Sequence, residues 1–354
     1  MTSRNDVRAM LVDSATRLMA DQVDPKMLDA AKDDGWSAAL WQVLEEVEFT
    51  RLGIPEEAGG AGGTLSDLAA VLRIAGRFAA PVPLAETAML AAWMLASAGL
   101  PLPRGPLAAG PAGQEVVRAR RDGGRWIVSG VLPRLPWARI AKRLVLLAET
   151  EQGGVVVSVD PARCDIRPGR NLAGEPRDGV ILDEVIAEEA AFATNVTRSA
   201  LRLRGALART LLMAGALERT LELAVRYAQE RTQFGRRIGQ FQAIQQELAR
   251  FAGEVAAAVA AALSAAGTME RGADVTLAVA SAKIRTAEAA RAGALIAHQV
   301  HGAIGVTDEY PLHHSTLRLW AWREEYGNEA EWAIALGGIT QKRGADSLWV
   351  ALTN

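Results

Sequence analysis

The segment RYAQERTQFGRRIGQFQAIQQELA, residues 226–249, carries the residue types best suited to hold a flat, phosphate-bearing ligand. Arg231 can neutralise a pyrophosphate, the Gln233 amide can supply directional hydrogen bonds, and Phe234 can lie against a ring. The spacing predicts a helix over 217–231 that ends at the Gln-Phe-Gly turn, and a second helix from about residue 241. An ordinary helix–turn–helix, with Phe234 buried and Arg231 in solvent, fits the same spacing. Spacing alone leaves both interpretations open.

Histidines are the other candidates for chemistry, and all four lie in the last sixty residues. His298 and His301 share a helix face, but no clustered acid or cysteine accompanies them, so no metal site is predicted. The chain has no ordered Ser–His–Asp set, no Walker loop and no GxGxxG segment after a strand. Nucleotide hydrolysis and nicotinamide binding are therefore set aside.

Proline usage indicates where helices must lie. Thirteen of the fourteen prolines precede residue 177, and only Pro311 follows residue 195. Because proline is excluded from helix interiors and alanine and leucine favour them, residues 196–354 are predicted to form a four-helix bundle. Residues 1–108 are also predicted to be helical, with apolar residues at helical spacing from Val7 to Leu18 and a cap-like Thr64.

Residues 109–195 follow a different pattern. Short β-branched runs are bounded by Gly, Pro or Asp, and RDGG at 121–124 is typical of a hairpin turn. Strands do not alternate with helices, so an antiparallel barrel or sandwich is favoured over a Rossmann unit. The predicted fold is α+β and multidomain: an N-terminal all-α domain, a middle antiparallel β domain and a C-terminal four-helix bundle.

Composition excludes several classes of protein. The 354 residues predict two to three domains, and 39 basic against 41 acidic residues exclude a general nucleic-acid binder. Cys164, the single cysteine, excludes a disulfide framework and fits a reducing compartment. Charges interrupt the N-terminal apolar residues, and the apolar run over 255–267 is too short for a bilayer. We expect a cytoplasmic protein without membrane or nucleic-acid partners.

Three motifs, in order, resemble those of the acyl-CoA dehydrogenases, which are flavoproteins. GIPEEAGGAGG at 53–63 is like the family's N-terminal loop, and residues 226–249 resemble its hallmark segment. HQVHGAIGVTDEYPLHHSTLRLW at 298–320 is similar to its glutamine–glycine flavin loop. The resemblance spans most of the chain and implies helical, β-barrel and helical domains in that order, FAD as cofactor and an acyl-CoA as substrate.

The resemblance also implies which residues contact FAD, and that they reach the FAD of a neighbouring subunit. The implied oligomer is a tetramer, either of identical chains or with a longer acyl-CoA dehydrogenase subunit. At Gly302 the missing Cβ would let backbone amides approach a phosphate or adenine, whereas Ala303 replaces the family's usual second glycine. The implied contact residues are Arg231, Thr232, Gln233, Phe234 beside the flavin, Phe241, Gln242, Gln299, Val300, His301, Gly302 and Ala303.

The family's catalytic base is displaced in this chain. It is usually a glutamate, followed by glycine and threonine, sixteen residues after the tyrosine of a Tyr-Pro pair. From Tyr310 that count reaches Tyr326, with Glu325 one place earlier. One position turns a helical side chain by about 100°, so Glu325 is the predicted catalytic residue only if the register shifts by one. Otherwise Glu325 is a solvated glutamate. The alternative base position of some members corresponds to Gly205.

The middle domain departs from the family as well. Where members have a Trp-Ile-Thr or Trp-Ile-Ser strand against the flavin, this chain has Arg134, Leu135 and Pro136, with Trp137 just beyond. Proline removes a backbone donor that a flavin would use. The chain's own flavin-ring pocket is therefore predicted to be degraded, while the contacts that it offers to a neighbour's flavin are intact.

Three functions follow from the resemblance. The first is α,β-dehydrogenation of an acyl-CoA thioester with FAD. The second is a non-catalytic partner that completes the FAD site of a catalytic subunit, as in relatives that act on steroid or other bulky acyl-CoA side chains. The third is an acyl-CoA oxidase, which no residue distinguishes from a dehydrogenase. Trp320, Trp322 and Trp332 near the predicted site fit either packing or the wall of a broad acyl pocket.

Overall fold

The computed structural model describes residues 4–272 and 275–344, and its elements run helices, strands, helices. A capping box opens the fourth helix as the sequence predicts, since the Thr64 amide donates to the Asp67 carboxylate at 2.9 Å. The N-terminal helices are α1 (Arg4–Gln22), α2 (Pro25–Asp34), α3 (Ala38–Glu46), α4 (Leu65–Arg77) and α5 (Ala92–Ser97), the last continuing a π-helical stretch, Ala85–Ala91.

The middle domain is one sheet. Its strands are β1 (Leu107–Gly110), β2 (Val117–Asp122), β3 (Arg125–Pro136), β4 (Arg143–Thr150), β5 (Gly153–Val159), β6 (Asp165–Arg167), β7 (Arg177–Ile186) and β8 (Glu189–Phe192). Their order in the sheet is β6–β7–β3–β2–β4–β5–β8, and β1 pairs with β4. Valine-rich strands such as β5 bury alternate side chains in the domain's own core.

The predicted fold class is confirmed, but the sheet is mixed rather than purely antiparallel. β4 runs parallel to β1 and, at Arg118 opposite Glu149, to β2. The chain leaves β3 through a 3-10 turn, Ala138–Ile140, instead of a hairpin, so β4 enters the sheet in the same direction as β1 and β2. The other strand pairs of this sheet are antiparallel.

The C-terminal domain has five helices among the described residues, one more than predicted. Pro311 precedes the fourth of them, and a capping box at Asn328 starts the fifth, so the segment after residue 301 divides into two helices. A short hairpin, β9 (Thr232–Gln233) and β10 (Arg236–Arg237), separates the first two helices. The helices are α6 (Arg198–Glu230), α7 (Gln242–Glu270), α8 (Val275–His301), α9 (Leu312–Glu324) and α10 (Glu329–Arg343).

Helix α7 is longer than its apolar run suggested. It has 29 residues, with a window of mean hydropathy 1.4, and by length and composition alone it is apolar enough to cross a membrane. One face packs into the helical core through Phe251, Val255 and Ala258, whereas 28% of that apolar window is buried. An alanine-rich face of α7 is therefore exposed.

Helices α4 and α6 cross at two glycines, which lets their backbones approach closely. A Cβ on Gly215 would overlap the Arg73 carbonyl oxygen, and a Cβ on Gly76 would overlap the Leu212 carbonyl oxygen. The crossing joins the N-terminal and C-terminal helices in one core. Small residues at these two positions therefore fix how the domains pack.

We expect Gly215→Ala to lower the free energy of unfolding by about 1–3 kcal/mol, because the added methyl group must push the α4 backbone away. Gly253→Ala in α7 is the matched control, since a Cβ there meets no atom within 4 Å. The control should leave the free energy of unfolding unchanged or raise it by up to ~1 kcal/mol, because alanine has a higher helix propensity than glycine. Urea unfolding of both variants measures this, and equal stabilities would contradict the crossing.

Candidate active site

A cavity of about 1080 Å³ lies between the β domain and the C-terminal helices. Its walls are the end of β1 with the loop to residue 115, the end of β3, the start of α6 and the junction between α9 and α10. Its size and its position between domains are those of a ligand site. Arg134, Asn171, Arg202 and Glu325 are among the polar residues on its walls.

Glu325, the predicted base, lies on this wall at the end of α9, but arginines hold its carboxylate. Arg177 donates to the two carboxylate oxygens at 2.7 and 2.9 Å, and Arg209 donates through Nε at 2.6 Å. Asn171 adds a hydrogen bond of 3.2 Å. Burial alone would raise the pKa of Glu325, but the charges of Arg177 and Arg209 outweigh it and hold the pKa well below its usual range. A carboxylate with these partners is a weak base.

Glu325 belongs to a larger ion-pair network that is almost entirely buried. Arg209 also pairs with Glu86, and Arg177 also pairs with Glu175 at 3.0 Å. Three carboxylates and three guanidinium groups balance in charge, which a buried cluster requires. The ion-pair network consists of Glu86, Glu175, Arg177, Arg209, Arg318 and Glu325.

The ion-pair network connects all three domains. Glu86 lies in the π-helical stretch before α5, and Arg209 lies in the middle of α6. Arg177 is the first residue of β7, and Glu175 lies two residues before it. Glu325 closes the set from the end of α9. Its position is therefore fixed by contacts with the β domain and with α6 together.

A buried lysine fixes the end of α9 from the other side. The Lys283 ammonium donates to the carbonyl oxygens of Trp322 at 2.8 Å and Arg323 at 3.1 Å. Cations at a helix C-terminus stabilise its unpaired carbonyls. Burial lowers the pKa of Lys283 to about 7. The turn that carries Glu325 and Tyr326 is thus held by side-chain contacts on both sides.

Tyr326 and Gly205, the two positions at which the resemblance places a base, lie against each other. Tyr326 has a left-handed backbone, with φ of 58°, and a Cβ on Gly205 would overlap its ring. Burial raises the pKa of the Tyr326 phenol above its ordinary value, so it is a poorer base than a free tyrosine. Among the described residues its hydroxyl has no hydrogen-bond partner. Neither position offers a carboxylate.

The residues predicted to contact FAD lie away from the cavity, at one end of the bundle. The Tyr227 ring stacks on the His301 ring at 4.6 Å, which brings the end of α6 beside the end of α8. Phe234 is 92% exposed, so the interpretation with Phe234 buried is wrong for this chain. Arg231, Thr232, Gln233 and Gln242 are also exposed, with Phe241 half-buried beneath Arg236 at 4.0 Å.

The second predicted FAD stretch is divided between surface and interior. Gln299, Gly302 and Ala303 are exposed, and a Cβ on Gly302 would meet no atom within 4 Å. Gly302 also has a φ of 65°, a conformation that glycine adopts without strain. The side chains of Val300 and His301 are buried instead. The FAD contacts of these residues stay a prediction.

The cavity meets some of the demands of a flavin and fails others. The volume of the cavity suits a flavin ring. Away from the cavity, the open surface around Gly302 suits a phosphate or adenine. The β3 strand instead presents the exposed Arg134 side chain and Pro136, which has no N–H to donate. The size of the cavity and the exposed surface of the bundle fit FAD, whereas Arg134 and Pro136 of β3 do not.

Of the three clustered tryptophans, Trp320 alone lines the cavity. Trp322 is buried and donates to Glu175 at 2.9 Å, and Trp332 is buried and donates to the Tyr326 carbonyl at 3.1 Å. Trp322 and Trp332 therefore pack in the interior, as one of the two interpretations predicts. Trp320 forms part of the cavity wall, as the other predicts.

Sequence reasoning missed the partners of Glu325. Arg209 occurs in the apolar run ALARTLLMAGAL, and Glu86 occurs in PLAETAMLAAW, so each is a single charge in a helix that is otherwise apolar. A charge at such a position must have a partner once buried. That signal identifies a buried ion pair but not which residues form it.

Two protein-family models match the chain. Residues 5–101 match the model of the acyl-CoA dehydrogenase N-terminal domain, and residues 194–327 match that of the C-terminal domain. The chain is 31% identical over 312 residues to acyl-CoA dehydrogenase IpdE2 of Mycobacterium tuberculosis, covering 86% of this chain and 88% of that one. The chain belongs to the acyl-CoA dehydrogenase family.

Solved structures agree on the fold. The ChsE4–ChsE5 complex from Mycobacterium tuberculosis has a chain with a TM-score of 0.88 and 24% identity, covering 98% of this chain and all of that one. A variant of the Tcur3481–Tcur3483 steroid acyl-CoA dehydrogenase has a TM-score of 0.84 and 26% identity, covering 95% and 98%.

We expect Gly205→Ala to lower the free energy of unfolding by about 1–3 kcal/mol, because the new methyl group overlaps the Tyr326 ring. In a Tyr326→Gly background the same change should stabilise by up to ~1 kcal/mol, since only the helix propensity of alanine remains. A double-mutant cycle by urea unfolding measures the coupling. Additive effects would show that the two residues do not share this space.

Proposed function

We propose that this chain works in an FAD-dependent acyl-CoA dehydrogenase that oxidises an acyl-CoA thioester at its α and β carbons. The observation that carries the proposal is the interdomain cavity, whose wall includes Glu325 and Tyr326. Tyr326 occupies the position at which the resemblance places the base, and Glu325 is the residue before it. Family membership supports the oxidoreductase class. We propose the cytoplasm as its compartment.

FAD is the proposed cofactor, held between subunits. When bound, it supplies the redox chemistry, acceptance of a hydride from the β carbon. In this chain the residues that would hold it are the exposed Arg231, Thr232, Gln233, Phe234, Gln242, Gln299, Gly302 and Ala303, together with the half-buried Phe241 and the buried Val300 and His301. The exposed guanidinium of Arg231 and the open backbone at Gly302 support a pyrophosphate or adenine contact there.

Glu325 is the proposed base in this function, and it can act as a base only if its carboxylate leaves part of its arginine contacts. To take the α-proton its carboxylate must turn one oxygen away from Arg177 or Arg209 and toward the cavity. Glu324, the neighbouring carboxylate, also lines the cavity and is exposed. It serves as a comparison position because its carboxylate contacts Asn328 and Arg323 rather than Arg177 or Arg209.

A second function is favoured by those same contacts. As a non-catalytic partner, the chain would complete the FAD site of a longer acyl-CoA dehydrogenase subunit, and Glu325 would serve only the ion-pair network. The contact between Tyr326 and Gly205 supports this, since it leaves no carboxylate at either base position. The similar ChsE4–ChsE5 structure is a complex of two named proteins. The exposed alanine-rich face of α7 supports assembly with other chains.

The proposed substrate class is a bulky acyl-CoA, such as a steroid-derived one. The cavity is broad, and Trp320 presents a flat apolar surface to it. One similar solved structure is a steroid acyl-CoA dehydrogenase.

Acyl-CoA-dependent dye reduction, by the chain alone and with its longest homologous genomic neighbour, tests these functions. If the chain is catalytic, it turns over alone, and Glu325→Gln lowers turnover of the folded protein about a hundredfold or more, whereas Glu324→Gln does not. If it is a partner, turnover needs the longer subunit and survives Glu325→Gln. Peroxide formation in place of dye reduction would indicate an oxidase. Turnover of the isolated chain that survives Glu325→Gln contradicts both functions.

We expect Arg231→Gln to weaken FAD retention about tenfold or more in the active assembly, because a charged hydrogen bond to pyrophosphate is lost. Arg237→Gln is the matched control, an exposed arginine on the adjoining hairpin and outside the predicted contacts. The ratio of flavin to protein absorbance after gel filtration measures retention. An equal loss in both variants would contradict a specific role for Arg231.

A further inference from the structure

Two adjacent histidines form a buried pair far from the cavity's base position. His313 and His314 lie in the first turn of α9, are 8% and 5% exposed, and have ring centroids 3.9 Å apart. His313 Nδ1 lies 2.9 Å from the Tyr310 carbonyl oxygen, so this nitrogen carries the proton and Nε2 keeps its lone pair. His313 Nε2 is buried without a hydrogen-bond partner among the described residues.

Two aspartates from distant parts of the chain face this pair. Asp29 in α2 has a carboxylate oxygen 3.5 Å from His314 Nε2, and Asp308 has one 3.7 Å from His313 Nε2. One ligand atom from each of Asp29, His313 and His314 lies within 4.8 Å of the others. The Lys32 ammonium lies 3.1 Å from Asp29 and 3.5 Å from Asp308.

We propose that Asp29, His313 and His314 form a three-ligand binding site for a divalent transition-metal ion of the zinc class, with the exposed carboxylate of Asp308 beside it. Imidazole nitrogens with carboxylate oxygens are a zinc-type ligand set, whereas magnesium and calcium select oxygen alone. With ligands about 2.0–2.1 Å from a tetrahedral ion, neighbouring ligand atoms are ~3.4 Å apart. The Asp29 carboxylate lies 3.5 Å from His314 Nε2, and the ligand atoms of Asp29, His313 and His314 all lie within 4.8 Å of one another.

The hydrogen bond behind His313 matches the usual arrangement around a metal ligand. Ligating histidines donate their other ring N–H to a carbonyl or carboxylate, which fixes the tautomer and orients the ring. The Tyr310 carbonyl has that role here. Among the described residues His313 Nε2 has no hydrogen-bond partner, since the Asp308 carboxylate lies 3.7 Å away. A bound ion would supply the partner that this buried nitrogen lacks.

The Lys32 ammonium pairs with both aspartates of this cluster. Its side chain is 40% exposed and can swing into solvent, and the two aspartates then supply two negative charges to a divalent ion. The bound ion would connect α2 to the start of α9, the helix that precedes Glu325. Lysine and metal therefore compete for the same carboxylates.

Zinc titration of the EDTA-treated chain by calorimetry at neutral pH tests the site. We expect one saturable Zn²⁺ site per chain, weakened about tenfold or more by His313→Gln and by Asp29→Asn. Lys32→Gln should tighten it roughly tenfold, because a competing positive charge is removed. His298→Gln, a partly buried histidine outside the cluster, is the matched control and should leave the affinity unchanged.

The proposal is overturned if no saturable site appears, if Asp29→Asn leaves the affinity unchanged, or if Lys32→Gln leaves the affinity unchanged. Asp29 and Lys32 have side chains 52% and 40% exposed, so these two variants decide the outcome even if His313→Gln fails to fold. Zinc should also raise the Tm of the parent chain by roughly 3 °C or more near saturation, and should not raise that of Asp29→Asn.

Discussion

The buried pairing of Arg209 with Glu86 and Glu325 is the interaction on which the rest of the structure depends. Arg209 is 1% exposed in the middle of α6, so its charge must be matched inside the protein. One partner comes from the N-terminal domain and the other from the end of α9. Removing either carboxylate leaves the buried guanidinium group of Arg209 without enough negative charge to balance it, which destabilises the fold. The ion pairs therefore form only when the domains are packed in this arrangement.

That constraint sets the chemistry available at the cavity wall. Because Arg177 and Arg209 hold Glu325, the turn after it places Tyr326 in a left-handed conformation with its ring on Gly205. One arrangement thus determines the side-chain contacts at both positions where the resemblance places a base. The same carboxylate cannot be fully paired with two arginines and freely available to a substrate proton, which is why the catalytic and partner functions make opposite demands on Glu325.

The sequence predicts the fold better than the site, for physical reasons. Proline avoidance and the change of apolar period are local signals, so they predict the order of the helices and strands, and the cap at Thr64 is local too. The parallel pairing of β4 with β1 and the network of Glu86, Arg177 and Glu325 join residues far apart in the chain. No local pattern records such pairings, and the single buried charges only indicate that partners must exist.

The stability of wild type and of Glu325→Gln, measured against pH, tests the structural role of this carboxylate most directly. Because the pKa of Glu325 is lowered from 4.5 in the folded protein, its contribution should be full above about pH 5 and decline as the pH falls below 4.5. We predict a deficit of about 3–5 kcal/mol for Glu325→Gln at pH 7 that shrinks in acid, and none for Glu324→Gln. A Glu325→Gln protein as stable as wild type at pH 7, or a deficit independent of pH, would contradict the account.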